Sequence, residues 1–172
     1  MFEKIKIIFM DVDGVLTRGE VYTGGEESPR IMHVRDRLAI KAIKEKFSGN
    51  IYLYWITGRS SEHLKVAAKE LLVDGVYDGV DRKLELVKKI LCSLSLTAAE
   101  AMYIGDDLID LACIKFCGVS CAPADAAVEV KEAADYITSS RGGEGAVREV
   151  IENILKERGA WEEVVEKFEK NA

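Results

Sequence analysis

Asp11-Val12-Asp13-Gly14-Val15-Leu16-Thr17 follows a short apolar run, residues 4–10 (KIKIIFM). Carboxylates two apart on an extended segment point to the same side. Asp11 and Asp13 can therefore share one site, one attacking an electrophile and the other handling a proton. Three further groups follow apolar runs in the same way. Thr57-Gly58-Arg59 follows 51–56 (IYLYWI), Lys83 comes shortly after Gly75–Tyr77 and Asp78-Gly79, and Gly105-Asp106-Asp107-Leu108-Ile109-Asp110 follows Ala101–Ile104. Asp11, Asp13, Asp106, Asp107 and Asp110 would repel one another if gathered without a cation. Oxygen-only ligands select a hard ion, Mg²⁺ rather than zinc, and Mg²⁺ commonly bridges carboxylates to a substrate phosphate. A hydroxyl at Thr57 and an ammonium at Lys83 suit phosphate oxygens and the charge that builds on them. The set as a whole points to phosphoryl transfer.

Such groups meet only if the elements before them lie side by side. The runs at 4–10 and 51–56 are short and rich in branched or aromatic residues, as buried strands are. Further strands are expected at Gly75–Tyr77, Ala101–Ile104, 119–121 and Tyr136–Ile137. Helices are expected at 36–47, with Asp36 as its cap, and at 61–72, 82–94, 108–116, 124–133 and 145–156. Strands alternating with helices indicate a three-layer α/β fold around a mostly parallel sheet, in which ligands bind beyond the carboxyl ends of the strands. Two β-rich patches, one at 20–23 and one at 30–34, suggest a hairpin spanning about 19–34 that projects from the body. The expected organisation is one domain over 1–158. An amphipathic tail helix comes next, within 159–172, with Trp161, Val164, Val165 and Phe168 on one face; it docks either on its own domain or on a neighbour.

The chain has 172 residues, 48% hydrophobic and 31% charged, with net charge -6. That length supports a core without staples. The negative balance offers no field for nucleic acid or an anionic membrane, so neither is expected as a partner. No stretch reads as a leader or reaches the ~20 apolar residues of a membrane span, and a cytoplasmic enzyme is expected. Cys92, Cys113, Cys117 and Cys121 lack the pairing and nearby histidines of a zinc site and read as small buried thiols.

The four groups, in their order, resemble the four signatures of the haloacid dehalogenase superfamily, and the resemblance spans nearly the whole chain. It implies that Asp11 forms an aspartyl-phosphate. Asp13 would act as general acid and then base, with its backbone carbonyl on the metal. Thr57, Gly58 and Lys83 would hold phosphate. Asp11, Asp13 and Asp106 would ligate Mg²⁺, while Asp107 and Asp110 support through water or by positioning Lys83. An aspartate after a strand is also often a plain helix cap, which is the other reading of Asp106, Asp107 and Asp36.

Superfamily members often insert a cap domain, but only 43 residues separate Asp13 from Thr57 and 25 separate Thr57 from Lys83. Those intervals are filled by the elements above. The chain therefore resembles capless members, among them phosphatases of 3-deoxy-manno-octulosonate 8-phosphate and of nonulosonate 9-phosphates. That likeness implies a homotetramer whose hairpins form a small barrel and whose neighbours complete the sites. It also implies a small sugar-acid phosphate as substrate. Val34-Arg35-Asp36 and the stretch from Gly142 to Glu149 carry it further. Arg35, Asp36, Arg59, Arg141 and Arg148 are thus candidates for the rest of the substrate, a guanidinium being suited to a carboxylate; a simple helix start is the other reading of Arg148. The chain departs from those members at Arg37 and Ala39, where they carry glycine, and at Ala67, where they often carry arginine. The alternatives are a phosphatase of another small metabolite and a non-catalytic oligomerisation domain of the same fold.

Overall fold

The structure, a computed structural model, describes residues 1–21, 30–60 and 62–170. Among the described residues, six strands form one parallel sheet: β1 (Ile7–Asp11), β2 (Tyr52–Ile56), β3 (Gly75–Tyr77), β4 (Ala101–Ile104), β5 (Val119–Ala122) and β6 (Tyr136–Ile137). Their order across the sheet is β3-β2-β1-β4-β5-β6. The helices are α1 (Val34–Lys46), α2 (Glu62–Glu70), α3 (Lys83–Ser93), α4 (Leu111–Phe116), α5 (Val128–Ala133), α6 (Ala146–Glu157) and α7 (Trp161–Lys170). The α/β class expected from the alternation is the class found.

Strand β1 shows why the sheet is central. All five of its residues are buried, and its side chains alternate between two cores as the period of two requires. Ile8 and Met10 join the apolar cluster beneath α1, α2 and α6, whereas Ile7 and Phe9 join the cluster beneath α3, α4 and α5. Each such side chain contributes about 1.5–3 kcal/mol by leaving water. The winding reverses at β1: β2 and β3 lie on one side of it, β4 to β6 on the other. The crevice at such a reversal, beyond the carboxyl ends, is where open α/β sheets bind ligands. Asp11 pairs in register with Ile56, and Met10 with Ile104. Thr57 and Gly105 therefore begin the loops flanking Asp11.

Five local readings change. Strand β1 begins at Ile7, although the Lys6 amide already donates to the Glu100 carbonyl and the Lys6 carbonyl accepts the Tyr52 amide, both at 2.8 Å. Residues 30–33 form no strand, and α1 begins at Val34 with His33 before it, so Asp36 lies inside the helix and does not cap it. Residues 22–29 of the expected hairpin lie outside the described residues. The stretch expected as one helix from 108 is a 3₁₀ turn, Leu108–Asp110, followed by α4. Its neighbour α5 starts only at Val128, because Pro123 opens a turn closed by the Ala126 amide donating to the Pro123 carbonyl at 3.0 Å.

Asp36 has a different structural task. It is fully buried, and its Oδ1 accepts the Arg148 amide at 2.7 Å, capping the first turn of α6 from the neighbouring helix. The amphipathic tail forms α7, which lies on its own chain. Trp161 and Val164 pack against the larger core, and Lys46 and Lys167 pair with Glu163 and Glu45 across the α1–α7 seam. No described helix is long and apolar enough to cross a membrane.

Candidate active site

The loop after β1 is folded so that Asp11 and Asp13 face the crevice. The amides of Leu16 and Thr17 both donate to the Val12 carbonyl at 3.0 Å, and the Thr17 hydroxyl adds a third bond at 3.3 Å. Gly14 sits at φ +100°, where a Cβ would stand 2.0 Å from Asp106 Oδ2. Only glycine lets the two loops come this close. Gly142 closes the other side, since a Cβ there would stand 1.7 Å from the Gly14 carbonyl oxygen. The 140s loop is thereby seated against the loop after β1.

Asp11 and Lys83 form the buried centre. Lys83 Nζ lies 2.9 Å from Asp11 Oδ1 and 2.8 Å from Asp110 Oδ1. Asp110 also accepts the Tyr103 hydroxyl at 2.7 Å and, through Oδ2, the Asp106 amide at 3.1 Å. One carboxylate thus orients the ammonium, the tyrosine and the loop that carries Asp106. Burial, and next the charge of Asp110, push the Asp11 carboxyl up to about 8, with Lys83 opposing them. Burial also lifts Asp106, helped by Asp110 and Asp107, to about 7.

Asp13 sits in a different environment. Its carboxylate accepts Arg30 Nε at 3.0 Å and Arg30 Nη2 at 3.1 Å, Arg59 Nη1 at 3.1 Å and the Thr57 hydroxyl at 3.1 Å. Burial works against its charge, but Arg30, Arg59 and Thr57 together hold it below the usual carboxylate range. Thr57 is buried at the end of β2. The Tyr77 carbonyl accepts its amide at 2.9 Å, and its own carbonyl accepts the Val80 amide at 3.0 Å. Gly58 then turns the chain so that the Arg59 amide donates back to the Thr57 hydroxyl at 3.1 Å.

The donor set fits a hard divalent cation. Asp11, Asp106 and Asp110 each bring one carboxylate oxygen to within 4.8 Å of the others. Asp106 Oδ1 is buried without a hydrogen-bond partner among the described residues, a costly state that a ligated ion relieves. Every donor is oxygen, as Mg²⁺ requires. A dication there would also favour ionised Asp11 and Asp106 against the burial that raises them.

The remaining sequence candidates lie in several places. Asp107 is exposed, and its Oδ1 accepts the Leu108 amide at 2.7 Å as the cap of the 3₁₀ turn. Arg35 is exposed on the first turn of α1. Asp36 is sealed under α6, so its carboxylate is spent on the fold and does not face the crevice. Arg141 is exposed and paired with Asp125 at 3.2 Å. Arg148 is tied to Glu152 at 2.9 Å, with its guanidinium 4.8 Å from the centre of the Trp161 ring on the α6–α7 side. Cys113, Cys117 and Cys121 are buried, and Cys92 is exposed.

Two residues of the site escape sequence reasoning. Arg30 stands alone in an irregular stretch, and nothing near it in sequence links it to Asp13. Tyr103 reads only as a core residue of β4; its position seven residues before Asp110 was the one available signal.

Parallel sheet order and a carboxylate-lined crevice at the winding reversal define a hydrolase of the haloacid dehalogenase class. The model of the haloacid dehalogenase-like hydrolase family matches residues 76–151. The chain is 37% identical over 158 residues to the 3-deoxy-D-manno-octulosonate 8-phosphate phosphatase of Haemophilus influenzae, covering 91% of this chain and 86% of that one. It is 35% identical over 162 residues to the Escherichia coli K12 enzyme of the same name, covering 94% and 85%. Among solved structures, the Moraxella catarrhalis enzyme of that name, in complex with magnesium, phosphate and KDO, superposes with TM-score 0.90 at 35% identity, covering 96% of this chain and 94% of that one. The cobalt-bound Haemophilus influenzae enzyme gives 0.86 at 36% identity, covering 93% and 92%. The chain therefore belongs to the haloacid dehalogenase-like hydrolases and, within them, to the family of these octulosonate phosphatases.

Proposed function

We propose that this chain is a Mg²⁺-dependent phosphomonoester hydrolase acting on a sugar-acid phosphate, 3-deoxy-D-manno-octulosonate 8-phosphate or a close relative such as a nonulosonate 9-phosphate. The observation that carries this reading is the buried Asp11–Lys83–Asp110 array, with Asp13 and Thr57 beside it. The relatives' names and the magnesium, phosphate and KDO of the Moraxella structure support the substrate and the metal.

Asp11 attacks phosphorus, and the bond to the leaving oxygen breaks as the aspartyl-phosphate forms. Asp13 gives that oxygen a proton and later takes one from the attacking water. To serve as an acid, Asp13 must first exchange its arginine partners. Thr57, Gly58 and Lys83 hold the phosphate oxygens, and Lys83 offsets charge that develops there. Asp110 and Tyr103 hold Lys83 in place. Asp11, the Asp13 carbonyl and Asp106 would ligate the metal, which supplies charge neutralisation between an anionic nucleophile and an anionic substrate.

An uncapped site of this kind is completed by a neighbour, and we read the working form as a cytoplasmic homotetramer. Exposed Ile31 and Val34 line a cavity of about 300 Å³ together with Thr17 and Arg30, which gives a neighbouring subunit an apolar surface next to the site. The reading is tested by phosphate release from a panel of sugar and sugar-acid phosphates. Release should need Mg²⁺, stop with EDTA and vanish in Asp11→Asn; near-normal turnover by that variant overturns it.

A further inference from the structure

The loop of residues 139–143 (SSRGG) runs beside the active site and has no apolar side chain to anchor it. Its place is set by hydrogen bonds and by close packing of backbone. Glu149 on α6 accepts the Ser139 amide at 2.9 and 3.1 Å and the Ser140 amide at 3.1 Å. The Ser140 carbonyl accepts the Thr138 hydroxyl at 2.6 Å and the Ala124 amide at 3.1 Å. Asp125, in the turn after β5, holds the far end of the loop: its Oδ1 accepts the Gly142 amide at 2.9 Å. Its Oδ2 meets Arg141 Nε at 3.2 Å, in a pair whose side chains are 66% and 33% exposed, so water screens it. Gly142, in contrast, is buried, and a buried amide deprived of its acceptor keeps the full cost of desolvation.

Gly142 and Gly143 press on the loop that carries Asp13. Gly142 abuts the Gly14 carbonyl with no room for a side chain, and the Gly143 amide donates to the Val15 carbonyl at 2.9 Å. The Asp13 carboxylate itself is held by Arg30, Arg59 and Thr57. Its arginine partners must be exchanged before it hands over a proton. Through that exchange the position of Asp13 rests on the backbone that follows it, Gly14 and Val15. Asp125 therefore bears on Asp13 by way of the Gly142 amide and the Gly14–Val15 backbone.

We propose that Asp125 is a positioning residue for the hydrolysis: by holding the Gly142 amide it keeps the 140s loop against Gly14 and Val15, and so fixes where Asp13 stands as it gives its proton. The proposal rests on the phosphatase reading above and adds a residue outside the crevice that the reaction depends on. Glu149 serves the same loop from the α6 side.

The test measures kcat/KM of the full chain with Mg²⁺ on 3-deoxy-D-manno-octulosonate 8-phosphate and on para-nitrophenyl phosphate. The alkoxide that leaves the first needs a proton from Asp13, and the nitrophenolate that leaves the second needs none. The ratio of the two values, octulosonate over nitrophenyl, does not depend on how much of a preparation is folded. Asp125→Ala should lower that ratio by roughly tenfold or more, as slight misplacement of a proton donor does. Asp125→Asn keeps an oxygen for the Gly142 amide and loses only the charge, so its ratio should stay within about twofold of wild type. Glu149→Ala, which frees the Ser139 and Ser140 amides, should lower the ratio in the same direction as Asp125→Ala. A ratio unchanged within about twofold in Asp125→Ala overturns the proposal, because the lesion is then not felt at Asp13. An Asp125→Asn variant as impaired as Asp125→Ala overturns it too, since the charge and not the Gly142 bond would then be at work. Both outcomes leave the phosphatase reading standing. A wild-type chain inert toward both substrates overturns the two together.

Discussion

Lys83 Nζ lies 2.8 Å from Asp110 Oδ1, with both side chains sealed from solvent at 2% and 0% exposure. Lys83 keeps Asp11 at 2.9 Å when Asp110 is removed, but the Tyr103 hydroxyl and the Asp106 amide lose their acceptor. Asp110→Ala should therefore destabilise the chain by about 1–3 kcal/mol for each donor left unsatisfied, read from denaturant midpoints, and should also lower turnover, since Lys83 and the Asp106 amide lose their common anchor. Tyr103→Phe removes only the hydroxyl that donates to Asp110. It should cost about 1.5–3 kcal/mol, less than Asp110→Ala. Equal stability of Asp110→Ala and wild type would contradict this reading of the array.

The Asp36 cap on α6 gives a pH signature. Burial holds the Asp36 carboxyl above its ordinary 3.8, despite the Arg148 amide that favours the charged form. The folded-state value is raised, so this group's contribution is full below pH 3.8 and is lost as pH rises through the folded value. Asp36→Asn keeps an acceptor for the Arg148 amide and does not titrate. Thermal melts of the two chains should therefore diverge with pH, wild type losing ground to Asp36→Asn as pH rises above 3.8. A constant difference across that range contradicts the assignment. Asp36→Ala, which loses the cap altogether, should cost about 1 kcal/mol or more below pH 3.8 and less as pH rises.

Thiol chemistry should separate the cysteines sharply. Burial pushes the thiols of Cys113 and Cys117 up to about 12, and Cys121 higher still. Few thiolates form there, and solvent does not reach them. The native chain should thus consume one equivalent of iodoacetamide, at exposed Cys92, and the denatured chain four. Peptide mapping of the alkylated native chain checks the position; rapid labelling of Cys121 would contradict the packing of β5.

The fold was legible because its signal is local. The runs before Asp11, Thr57 and Asp106 are apolar enough to be strands buried on both faces, and the residues after buried parallel strands must gather at one sheet edge. The role of Asp36 is hidden from the sequence for the opposite reason. Its partner is the amide of Arg148, 112 residues away in the chain. No pattern near Asp36 shows that α6 returns to α1, so a carboxylate early in a helix looked like that helix's own cap. Arg30 was missed because a lone arginine after a proline carries no periodic or motif signal. Its role exists only once the loop after β1 and the stretch before α1 are brought together. Arg148 stood within a recognisable stretch, but Trp161 and Glu152 draw its guanidinium to the α6–α7 side.

Everything in the mechanism depends on Asp11 carrying the phosphoryl group, and that intermediate can be trapped. Asp13→Asn removes the proton carrier, while para-nitrophenyl phosphate has a leaving group that needs none. The phosphorylated form should then build up with a burst of one nitrophenolate per chain. Acid quenching and borohydride reduction of that mixture, followed by peptide sequencing, should show homoserine at position 11. Reduction at another residue, or a burst that leaves Asp11 unmodified, would contradict phosphorylation at Asp11.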